Sequence, residues 1–240
     1  MSTPVQPLIQ TEIYYPESDG QPMADNTLQF EWIVTIKEGL DVMLPEDFVG
    51  GNIFWYPLEG NAFLKVAPDV LVALGRPKGD RSSYKQWEED GIAPQVVFEI
   101  LSPGNTFEEM QDKQGFYEAY GVDEYYIYSP HRNTLWGWQR VENHLEPVAI
   151  MNGWTSPRLG IRFERTPETL HIFKPNGEQF LTFAQLEAER LRERAEKERE
   201  RAEKERERAE KEALQVRLAE QEQELERLKQ KLKEHGLTLE

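Results

Sequence analysis

The stretch Val96 to Leu101, VVFEIL, limits the possible folds more than any other part of the chain. Its apolar side chains run on without alternation, the pattern of a strand covered on both faces. Such a strand lies inside a sheet, so other elements must cover that sheet on each side. Ser102-Pro103-Gly104-Asn105 then supplies a turn. One residue breaks the pattern: Glu99 stands in the middle of the run. A carboxylate there is costly unless a partner or a ligand meets it.

The surroundings fit a mixed α/β (α+β) sheet core with flanking helices. Asp69 to Leu74, DVLVAL, reads as a second short buried strand, preceded by Pro68. Thr106 to Tyr120 reads as a helix; Thr106 and Glu109 have the spacing of a capping box, and Gly121 closes it. Glu124 to Tyr128 is the next strand. Upstream, Ala24 to Met43 places Leu28, Trp32, Ile36, Leu40 and Met43 at helical spacing behind Asn26 as N-cap. Gly51 to Tyr56 reads as a strand and the polar segment 75–91 as a loop. Residues 134–140, 145–150, 160–164 and 170–173 read as shorter strands or hairpins, within a region (147–182) of weak pattern.

Two domains are expected, 1–184 and 185–240. RERAEKE occurs three times without change, at 192–198, 199–205 and 206–212. Each copy sets Glu four residues before Lys, which supports a solvated helix. Leu214, Leu218, Leu225, Leu228 and Leu232 follow, in steps of four and three with Gln221 in the missing place. That is about three heptads of coiled-coil seam. The stripe serves a homodimer or higher oligomer, or folds back on the domain; its spacing alone gives no orientation.

From Gln185 onward 15 basic and 17 acidic residues nearly cancel, so the first domain carries −14 of the net −16. An acidic domain is repelled by nucleic acid at long range. The chain has no cysteine, which excludes disulfides, zinc-thiolate sites and a cysteine nucleophile. Met1 to Gln10 is neither basic nor strongly apolar, and no apolar run could span a bilayer. A cytoplasmic protein without membrane contact is expected.

Asp69 and Glu99 each mark an apolar strand, and the two strands can be sheet neighbours. Two carboxylates brought together repel unless a cation sits between them. Mg²⁺ suits such a pair, with Mn²⁺ as a substitute, and the backbone carbonyl of Ile100 is a natural further ligand. Lys113, on the following helix, can reach Glu99 along its stem and stabilise charge on a scissile phosphate. The plainer alternative satisfies Glu99 with Lys113 alone, as an ion pair, and leaves Asp69 capping a turn.

The residues APDV, QVVFEILSPGN, Lys113 and YGVDEYYIYSP together resemble the Uma-type "putative restriction endonuclease" family of the PD-(D/E)XK nuclease superfamily. The similarity runs over roughly Tyr14 to Arg140. It implies a restriction-endonuclease-like fold and metal-dependent phosphodiester hydrolysis, with DNA, or RNA, as substrate. Asp69 matches the motif aspartate and Glu99 the motif glutamate. The position two after Glu99 holds Leu101, and Lys113 matches a lysine moved to the helix. Glu31 is a candidate for the acid that the superfamily often adds from its first helix. Ser129-Pro130 stands where the family tends to have Asp-Pro.

Other signals are weaker. Ser102 has no nearby histidine and fits turn chemistry. His131, His144, His171 and His235 lack ligand spacing. Trp136 and Trp138 share one face of a strand and fit a core or interface better than a base-stacking platform. Lys78, Arg81 and Lys85 are the only local basic cluster, and Gly75 to Gly79 lacks the spacing of a phosphate-binding loop. Two functions stay open: a Mg²⁺-dependent endodeoxyribonuclease, or a non-catalytic nuclease-like scaffold acting through its tail.

Overall fold

The computed structural model describes residues 13–18, 20 and 23–234; the readings on Met1 to Gln10, on His235 and on the Leu232 side chain lie outside what is described. The chain divides into two compact units, Met1–Thr182 and Phe183–Glu240. No described helix is long and apolar enough to cross a membrane.

The first unit is built on a six-stranded mixed sheet. Its strands are β1 (Phe48–Gly51), β3 (Val70–Ala73), β5 (Val96–Ile100), β6 (Glu124–Ser129), β7 (Thr134–Val141) and β8 (His144–Pro147), in that spatial order. Within this sheet only β5 and β6 pair in parallel; its other neighbours are antiparallel. The parallel pair is joined by α2 (Phe107–Tyr120), as a parallel connection requires. Thr106 Oγ1 accepts from the Glu109 amide, while Glu109 itself is held by Asn105 and not by the cap, so only half of the capping box forms. Gly121 ends the helix at φ 98°, a left-handed conformation that glycine adopts without strain.

All five residues of β5 are buried, because both faces of the sheet are covered. One face, with Val96, Phe98 and Ile100, packs on α1 (Thr27–Met43) and on the hairpin β9 (Arg162–Arg165) and β10 (Leu170–Phe173). The other, with Val97, packs under Met110 and Tyr117 of α2 and against Trp55 and Tyr84. Asn26 caps α1 by accepting from the Gln29 amide at 2.9 Å. Gly39 lets α1 meet Phe180: a Cβ there would lie 2.6 Å from the ring.

Two readings of the sequence are corrected. The strand expected at 51–56 is two, β1 and β2 (Phe54–Tyr56), parted by Asn52 at φ 49°. The polar segment 75–91 holds a strand, β4 (Ser83–Lys85), that pairs in parallel with β2 and buries Tyr84 completely. The second unit is one helix, α3 (Phe183–Glu234), about 78 Å long at 1.5 Å per residue. Lys197–Glu193 and Lys204–Glu200 pair along it, and Arg208–Glu212 adds a third rung.

Candidate active site

Register brings the two strand acids together. β3 runs antiparallel to β5 with Val70 opposite Phe98. One step further sets Asp69 across from Glu99, on the same face. That face is the one under α2. Both acids are buried, Glu99 to 2% exposure and Asp69 to 9%.

The helix supplies what Glu99 needs. Lys113 Nζ lies 2.8 Å from Glu99 Oε2, and the Tyr117 hydroxyl donates to Oε1 at 2.5 Å. These two residues are four apart on α2 and so project from one side of it. The ion pair of the plainer alternative is therefore present, and it has a second donor that the sequence reading missed. Tyr117 is signalled only by its spacing from Lys113.

The ladder between β3 and β5 ends at Val70 and Phe98. Beyond it the amide and carbonyl of Ile100 have no strand partner on that side, and buried backbone groups need one. The Ile100 amide donates to Asp69 Oδ2 at 2.6 Å. The Ile100 carbonyl accepts from Gln29 Nε2 at 2.7 Å. So the carbonyl expected as a metal ligand does face the gap beside Asp69, but a side chain of α1 already holds it. Glu31, the first-helix candidate, is solvent-exposed; Gln29 is the α1 residue that reaches the site. Its signal was available, since 29, 33, 36 and 40 fall on one helical stripe and all four are buried. Asp25 stands at the rim and accepts from Ser102 Oγ at 2.5 Å.

Burial and the neighbouring Glu99 carboxylate push Asp69 up to about 8, against the Ile100 amide and the Lys113 ammonium, which pull it down. Burial pulls Lys113 down, but Glu99 first, then Asp69 and Glu109, outweigh it and hold the ammonium above its ordinary value. Burial, then Glu99, keeps the Tyr117 hydroxyl far above its ordinary range, so it stays protonated and can donate to Glu99. The Tyr125 hydroxyl is buried on the same face and has no hydrogen-bond partner among the described residues.

The donor set is two carboxylates and a carbonyl, all hard oxygens, which fits a cation of the magnesium type. Each engaged oxygen keeps a further lone pair. Asp69, whose charged form burial and Glu99 disfavour more than Lys113 and the Ile100 amide favour it, is the group that such a cation would relieve. Among the described residues no group of three or more His, Asp or Glu could hold a metal ion, so a cation at the two acids would have to take the carbonyl as its third protein donor.

The remaining candidates lie elsewhere. Lys78 is paired with Asp41, Arg81 with Glu89 and Lys85 with Glu88, so the basic cluster is neutralised within the fold. Ser102 Oγ accepts from the Gly104 amide, as turn chemistry predicts. Trp138 stacks on Tyr125 at 5.3 Å, a core role; Trp136 stays partly exposed. His144 meets Glu118 and His171 meets Gln179.

The sequence model of a family described as "Uma2: Putative restriction endonuclease" matches residues 43–168, a span that includes Asp69, Glu99, Lys113 and Tyr117. No curated protein matches the chain. A solved structure, of a "putative nuclease belonging to DUF820" from Anabaena variabilis, is similar at 13% identity with a TM-score of 0.42, covering 59% of this chain and 79% of that one.

Proposed function

This chain belongs to the Uma2 family, and on that premise we propose that its first unit is a divalent-metal-dependent endonuclease that hydrolyses phosphodiester bonds of DNA. The observation that carries the reading is the gap at the end of β5, where Asp69, Glu99 and the Ile100 carbonyl present oxygens beside the Lys113 ammonium. Mg²⁺ held by Asp69, Glu99 and Ile100 would supply Lewis-acid chemistry. The protein's own share is positional. Tyr117 and Lys113 fix the Glu99 carboxylate, and Gln29 fixes the direction of the Ile100 carbonyl. Lys113 also keeps positive charge where negative charge grows on the scissile phosphate as water attacks phosphorus and the P–O bond breaks.

Calorimetric titration of Mg²⁺ and Mn²⁺ tests this, with Asp69→Ala and Glu99→Ala run beside the wild type after a check of folding. Each variant is expected to bind at least about 100-fold more weakly, since losing even an outer-shell partner of a ligand costs about 10–100-fold. A folded wild type that binds neither ion sinks the metal reading.

A second reading, a nuclease-like scaffold without catalysis, is favoured by one observation. The only local basic cluster is spent on internal ion pairs, in a domain that already carries most of the acidic excess. Under that reading Lys113 and Tyr117 alone hold Glu99, and no divalent ion is bound.

A further inference from the structure

The apolar stripe of α3 is flanked by charged residues. Leu214, Leu218, Leu225 and Leu228 are 54–65% exposed on the helix. Their four-three spacing makes Leu218 and Leu225 a positions, and Leu214, Gln221 and Leu228 d positions. The g positions are then Arg217, Glu224 and Lys231, and the e positions Gln215, Glu222 and Lys229.

We infer that residues 214–232 of α3 zip with the same segment of a second copy of this chain, parallel and in register. In a parallel pair each g residue meets the e residue five positions on in its partner. Arg217 then faces Glu222 and Glu224 faces Lys229, opposite charges at each contact, and twofold symmetry repeats both. Gln221 meets its own copy across the seam, where two amides can satisfy each other. The antiparallel arrangement that sets Leu against Leu does the reverse. Leu218 would face Leu228, so Glu222 would meet Glu222, Glu224 would meet Glu224 and Arg217 would meet Lys231. Gln221 would face Leu225 and lose its amide partner. The charged contacts of the parallel pair are all attractive, and those of the antiparallel pair are all repulsive.

The same register sets the zipper's limit. Continued upstream it puts Lys211, Glu207, Lys204 and Glu200 on the seam, where a parallel partner would oppose each with its like. The pairing therefore stops at Leu214, and the RERAEKE repeats stay single helices. In each chain the first unit precedes the repeats, so two copies are tethered from the same end of the zipper. If the nuclease reading holds, that joins two copies of the candidate site in one assembly; the pairing itself does not rest on it.

The absence of native cysteine makes the test direct. Gln221→Cys and Leu225→Cys are made separately in the full chain, oxidised mildly alone and as a mixture, and run on non-reducing gels. Self-crosslinking of each variant alone is expected. Crosslinks only in the mixture would mean an antiparallel pair and overturn the orientation. A wild type that sediments as a monomer up to about 100 µM would overturn the pairing. The double variant Glu222→Lys, Glu224→Lys, which needs no buried change, is expected to weaken self-association by about tenfold or more; unchanged affinity would overturn the charge argument.

Discussion

Two glutamate–lysine pairs in this molecule have nearly the same geometry and opposite meaning. Glu99 and Lys113 approach to 2.8 Å, with their side chains 3% and 22% exposed. Glu200 and Lys204 approach to 3.0 Å, at 63% and 73% exposed. On α3 water solvates each charge whether or not the pair forms, so the pair adds little. Under α2 the charges have left water, and each partner exists to offset the other's desolvation. Distance does not distinguish the two; surroundings do.

The sharpest way to break the comparison is to remove one lysine from each. Lys113→Met leaves a buried carboxylate with Tyr117 as its sole direct donor, and an expected loss of about 3–5 kcal/mol in urea unfolding. A loss under about 1 kcal/mol would mean that Tyr117 suffices. A second effect is specific to the buried site. In the metal-free protein Asp69 is raised above its ordinary 3.8 to about 8, so the native state holds a proton that the unfolded chain has released. Its contribution to stability is therefore greatest below the unfolded value. It declines as pH rises from about 4 to about 8 and is flat above that. Asp69→Asn should remove this slope while keeping the fold, as equilibrium unfolding with a chelator at several pH values would show. The smallest effect belongs to the tail: Lys204→Met should change stability by about 0.3–0.5 kcal/mol at low salt and by nothing measurable in 1 M salt. Circular dichroism of the helix reads it.

The sequence made the centre of the first unit legible because burial on both faces leaves a continuous apolar run. β3, β5, β6 and both ends of α2 stand where that pattern and the caps put them. That the strands of Asp69 and Glu99 can be neighbours was legible too, but that the two acids lie across from each other comes from the register. What escaped was of another kind. Asn52 parts β1 from β2 through a single left-handed residue within an otherwise strand-like run. β4 is set by one buried tyrosine among polar neighbours, too short for any period to show. Gln29 escaped because the stripe through Leu28 and Trp32 has larger apolar residues, although those two are only partly buried. The basic loop showed its charges but not their partners, which lie up to 37 residues away at Asp41. Long-range partners are set by the fold, and local pattern carries no record of them.

The three identical heptads of α3 have a consequence for how this protein can change over generations. A tract repeated without change can gain or lose whole copies by slippage when its gene is copied. Seven residues of helix are about 10.5 Å long and fall about 20° short of two full turns. Each added copy would thus move the far end outward by a fixed step and scarcely rotate it. Since each inserted heptad carries six charged residues and one alanine, no core would need to be repacked. The tail behaves as a ruler whose length can be reset without disturbing what lies at its two ends.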